Sequence, residues 1–136
     1  MVAALVLGAC GDDGVSGAQR EHAERAEAVC LEMLEAVGRN FGDDPAAERD
    51  AVKRAADRLE QMNPPSEDEP RWTLIVAEMN NLWLQLSDAA EARDPMVNDM
   101  PRAQRALERV NQTTQRMRNL TSDYGMQECA EEFPRA

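Results

Sequence analysis

Aromatic side chains are scarce: two Trp, one Tyr and two Phe occur in 136 residues. The apolar mass comes instead from Ala, Leu, Met and Val, which argues against a sheet, whose strands favour aromatic and β-branched side chains, and for close-packed helices. Histidine occurs once, at His22. A ferritin-like di-iron centre needs Glu-x-x-His pairs on two helices, so that chemistry is excluded. His22 is expected on the surface of the first helix. No two cysteines have Cys-x-x-Cys spacing, which excludes a dithiol redox centre. The apolar run Val2 to Ala9 is less than half of the roughly 20 residues that cross a bilayer. Basic residues are the minority, 15 against 26 acidic ones, for a net charge of −11. Such a chain repels nucleic acid, and no nucleic-acid partner is expected. There is no Gly-rich phosphate loop, no Ser-His-Asp set and no supported pair of acid/base carboxylates. No catalytic residue, metal ligand or cofactor is therefore assigned. Of the eight methionines, Met33, Met62, Met79 and Met117 fall at core positions, and Met96 with Met100 are too few thioethers for copper.

What is present begins with the first 17 residues. The apolar run stops at Cys10, and Gly11-Asp12-Asp13-Gly14-Val15-Ser16-Gly17 follows at once. Leu7-Gly8-Ala9-Cys10 resembles the bacterial lipobox, in which an aliphatic residue and two small ones precede a cysteine that receives diacylglycerol. The resemblance implies cleavage before Cys10, lipid attachment at Cys10, and a place in the cell envelope on the outer face of the plasma membrane. Residues 1–9 then form the leader, 10–17 an anchored spacer, and 18–136 the folded domain. The basic stretch that normally opens a signal peptide is missing, because the first basic residue is Arg20. An upstream start or a poor signal accounts for that. With Cys10 lipidated, Cys30 and Cys129 form an even remainder in an oxidising compartment and are expected to pair. The alternative is two buried thiols acting as small hydrophobes.

From Ala18 the pattern is helical. Ala23, Ala26, Cys30, Met33, Val37 and Phe41 recur every three or four residues, predicting a first helix over about 18–41. Asp44-Pro45 supplies an N-cap and first-position proline for a second helix, which Asn63-Pro64-Pro65 ends. Ser66 with Glu69 reads as a capping box opening a third helix, whose broad stripe from Trp72 to Ala90 faces two neighbours. A fourth starts near Asp99-Met100-Pro101 and stops at Gly125, a left-handed cap that turns Cys129 in the C-terminal tail back toward Cys30. Four helices of similar length joined by short loops predict an all-α fold, an antiparallel up-down-up-down four-helix bundle with a disulfide-tethered C-terminal tail. The arginines of the fourth helix, Arg102, Arg105, Arg109, Arg116 and Arg118, are expected to meet the chain's own acids, the alternative being an acidic partner or lipid headgroups near the anchor.

A Cys in the first helix, Pro-Pro and Trp near the start of the third, and Tyr124-Gly125 ahead of Cys129 resemble small exported helical proteins of actinobacteria, many of them uncharacterised lipoproteins. That layout covers about residues 20–130 and implies an envelope location and a cystine-stapled helical body, with no catalytic residues. The expectation is a membrane-anchored interaction or structural module meeting an envelope protein. The alternative is a carrier of a small apolar ligand beneath Trp72 and Trp83.

Overall fold

A computed structural model of the chain describes residues 17–38 and 40–134, and these are helical with no strand among them. The helices are α1 (Gly17–Val37), α2 (Pro45–Glu60), α3 (Glu69–Arg93), α4 (Met100–Asp123) and α5 (Gln127–Glu132), with a 3-10 turn over Ser66–Asp68.

Local chemistry sets each boundary. α1 stops before position 41, because Gly38 adopts φ +87° and its N–H closes on the Leu34 carbonyl at 3.0 Å. This single left-handed residue terminates the helix. Asp44 caps α2 as expected, accepting the Ala47 N–H, and Glu48 reaches back to accept the Asp44 and Gly42 N–H groups at 2.9 and 2.6 Å. The buried Glu48 carboxylate thus supplies the reciprocal half of a cap one position later than in a standard capping box. The expected Ser66 capping box does not form. The ring of Pro70 would meet the carbonyl four residues back, at Ser66, were the helix to run through both. The chain instead makes the 3-10 turn and starts α3 at Glu69, with proline in the first turn. Asp99 caps α4 by accepting the Arg102 N–H at 3.1 Å. At its other end Gly125 has φ +97°, Met126 donates to Thr121 O at 2.8 Å, and Gly125 donates to Ser122 O at 3.1 Å. That pair of bonds is a Schellman motif.

α3 packs against both α2 and α4, α1 packs against α2, and α5 packs against α4 and α1. The hub position of α3 follows from Ile75, Met79, Leu82 and Leu86, all at 0% exposure. Burying each such side chain is worth about 1.5–3 kcal/mol. Alanines 26, 55, 56, 89, 92, 103 and 106 are buried between the helices, and their small volume lets backbones approach closely. The segment after α4, expected as a tail, folds as the short helix α5. It is part of the core: Tyr124, Met126, Cys129 and Phe133 are each exposed by 1% or less.

Candidate functional site

Cys30 and Cys129 form a disulfide across 99 residues, with Cα atoms 5.9 Å apart. It ties α5 to the middle of α1, as the cysteine arithmetic predicts. Cys129 is further held by its N–H, which donates to the Glu27 carboxylate at 3.1 Å. Cys10, the expected lipid-attachment residue, lies outside the described residues.

One constellation was not anticipated. His22 is 1% exposed rather than a surface residue. Position 22 lies one turn before Ala26 on the stripe that continues through Cys30 and Met33, so helical geometry turns it inward. Its Nδ1 shares a 2.8 Å hydrogen bond with Tyr124 Oη. Its ring stands edge-on to Trp72, centroids 4.4 Å apart, an arrangement that aromatic quadrupoles favour. Gln19, one turn earlier, donates to the Tyr124 carbonyl at 2.7 Å. Arg71 pairs with the buried Asp68 at 2.5 Å and lies over the Tyr124 ring. The start of α1, the start of α3 and the end of α4 are thereby joined at one end of the molecule.

The electrostatics keep this cluster's ring pair uncharged. Burial pushes His22 below the usual histidine range, Arg25 adds to the effect, and the Asp68 carboxylate opposes it. Burial, with help from Asp68 and against Arg71, pushes Tyr124 up to about 12. The neutral imidazole and protonated phenol satisfy each other at Nδ1 and Oη and so hold helices together, while His22 Nε2 is buried without a hydrogen-bond partner.

Of the other expected features, Trp72 is buried in this cluster, whereas Trp83 is half-buried beneath the Lys53 ammonium, 5.0 Å from its ring centre. Open clefts lie on the surface of the described residues, four of them bearing on the expected ligand site. One of about 580 Å³ lies between α1 and α5 and includes Leu31, Glu35, Glu131 and Phe133 in its walls. A groove of about 280 Å³ separates α1 from α2, and clefts of about 240 and 380 Å³ flank the end of α4. Neither tryptophan lines any of these four. Met33, Met79 and Met117 are buried and Met62 is half-buried. Three α4 arginines meet acids of α3: Arg102 bonds Asp88 and Glu91, Arg109 bonds Asp88, and Arg116 bonds Glu78 at 3.1 Å. The two carboxylates beside Arg102 raise its proton affinity above the usual arginine value. Among the described residues no helix is long and apolar enough to cross a membrane, and no cluster of three metal-ligating side chains occurs.

No protein-family model, curated protein or solved structure matches the chain.

Proposed function

We propose that this protein is a lipid-anchored, non-catalytic interaction module on the outer face of the plasma membrane, tethered through Cys10 and resembling the small actinobacterial envelope lipoproteins. The observation that carries the reading is the Cys30–Cys129 disulfide. Structural disulfides persist in oxidising compartments, and this pairing leaves Cys10 as the chain's remaining thiol, immediately after an apolar run. α1 opens at Gly17, and six residues, Gly11 to Ser16, lie between it and the proposed anchor at Cys10. Four long helices follow one another through short connections, and neighbours α1–α2, α2–α3 and α3–α4 pack together. An up-down-up-down course fits those pairings. Non-catalytic use agrees with His22 and Tyr124 being spent on each other inside the core. The proposed work of the body is to present a rigid helical surface to a protein partner.

Intact mass measurement of protein extracted from membranes tests this. The expected species lacks residues 1–9 and carries diacylglycerol on Cys10, and Cys10→Ala releases the protein from the membrane fraction. Unmodified Cys10 with residues 1–9 still attached overturns the reading.

A further inference from the structure

α3 has a second, outward face that is poor in charge. Between Trp72 and Ser87 only Glu78 of 16 residues is charged, in a chain that is 30% charged overall. That one carboxylate is committed to Arg116 of α4 at 3.1 Å. Leu74 and Leu84 each remain 54% exposed, and Ala77 and Asn81, also exposed, lie between them on the same side of the helix. The spacing 74, 77, 81, 84 alternates three and four residues, which is the seam of a coiled coil with an asparagine at one inner position. Depletion of charge around an apolar stripe marks the centre of an interface.

The charge balance indicates what covers it. Two copies at −11 each repel, and they approach most cheaply through a face that carries no net charge. An isologous contact must also be self-complementary. Leucine meets leucine favourably, and an asparagine amide offers both a donor and an acceptor to its own copy. The stripe from Leu74 to Leu84 is about 15 Å long at about 1.5 Å per residue, shorter than the interfaces that bury about 800 Å² per partner in stable complexes. Such a contact is weak in dilute solution and becomes effective where copies are concentrated in one leaflet.

We propose that the partner of this module is a second copy of itself, joined through the outward face of α3 in parallel register, so that Leu74, Asn81 and Leu84 each meet their counterpart. The inference rests on the anchoring proposed above. The start of α3 packs at the same end as the start of α1, shown by the His22–Trp72 contact, so that end lies nearest the tether. The chain from Cys10 to Gly17 reaches at most about 25 Å, against about 37 Å for the 25 residues of α3. Two upright copies tethered to one leaflet therefore present α3 in the same sense.

The full-length anchored protein, reconstituted in phosphatidylcholine/phosphatidylglycerol vesicles, tests this with Leu74→Cys, Asn81→Cys, Leu84→Cys and, on exposed α4 surface, Arg105→Cys, each under mild oxidation. Expected is a disulfide-linked dimer from all three α3 variants and none above background from Arg105→Cys. Adding Leu84→Lys to Asn81→Cys should cut crosslinking at least tenfold. Equal, low crosslinking at all four positions overturns the proposal, as does crosslinking of Asn81→Cys without Leu74→Cys or Leu84→Cys, which marks an antiparallel pair. The mass of Cys10 is read from the same samples. A lipidated chain without crosslinks sinks the dimer alone, whereas crosslinks from an unlipidated chain sink the anchor and leave the α3 contact standing.

Discussion

The two ends of the molecule are closed in different ways. At the end where α1 begins, side chains from α1, the 3-10 turn, α3 and α4 interlock: Gln19 on the Tyr124 carbonyl, His22 on Tyr124 Oη and against Trp72, Arg71 on Asp68. From there the chain after Tyr124 turns back along α1, and the Cys30–Cys129 bridge ties α5 to the middle of that helix. At the opposite end, the loops are held by caps and backbone carbonyls. Glu48 gathers the Gly42 and Asp44 N–H groups, Arg93 donates to Gly42 O at 2.7 Å, and Asp99 caps α4. There Met96 is 92% exposed, with Val97 and Met100 exposed beside it. Long-range side-chain bonds fix how helices sit against each other, whereas caps fix where each helix starts. The end where α1 begins is thus braced by buried contacts between elements, and the far end by caps together with the cross-element bonds of Arg93 and of Arg102 to Asp88 and Glu91.

The strongest way to break that contrast is to cut the bridge. Cys30→Ala with Cys129→Ala is expected to cost about 4–5 kcal/mol, the chain-entropy value for a loop of about 100 residues. The denaturant midpoint reads the loss, with circular dichroism reporting whether α5 remains packed. A loss under about 1 kcal/mol would mean that hydrophobic burial of Tyr124, Met126 and Phe133 holds this end without the staple.

A smaller effect sharpens the contrast within the braced end. Tyr124→Phe keeps the ring and its contacts and deletes only Oη, leaving His22 Nδ1 buried without its partner, at a cost of about 1–3 kcal/mol. Thermal unfolding at pH 7.5 measures it. The same pair sets a pH window. The folded His22 lies below its unfolded value of 6.5, so the unfolded chain binds the proton more readily; stability is full above that value and falls as the pH drops through the folded one. Tyr124 runs the other way: its folded value of about 12 against 10.0 unfolded makes stability full below pH 10 and lost as the pH climbs toward 12. Unfolding profiles flat across both windows would show that the two rings are solvated rather than enclosed.

The fold was legible wherever one or two adjacent residues carry the instruction. Asp44-Pro45, Asp99 with Pro101, and Gly125 each act within a turn, and the structure uses all three. The disulfide was legible as the even pair that remains once Cys10 is set aside. The apolar periodicity runs on through Val37 to Phe41 and so hides the helix end at Gly38, which only its left-handed backbone reveals. His22 required its stripe to be extended back by one turn from Ala26, and its partners are 50 and 102 positions away at Trp72 and Tyr124. Asp68 joined the cluster only because Pro70 converts the expected cap into a 3-10 turn. Polar contacts of that range depend on three helices being placed first, and no local pattern encodes them.

The smallest expected effect belongs to the far end, and it decides whether the contrast is real. Met96 contributes no burial, and the loop around it is organised by bonds that do not involve its side chain: its N–H donates to Asp94 Oδ1 at 2.8 Å, and Val97 N–H donates to Asp94 O at 2.9 Å. Met96→Ser preserves both backbone donors and removes only exposed apolar surface, so the change in stability should lie within about 0.5 kcal/mol. Chemical denaturation of this variant beside Tyr124→Phe is the direct comparison. If the two substitutions cost the same, the far loop is braced as firmly as the end where α1 begins, and the exposed methionine must be supporting packing that its 92% exposure does not disclose.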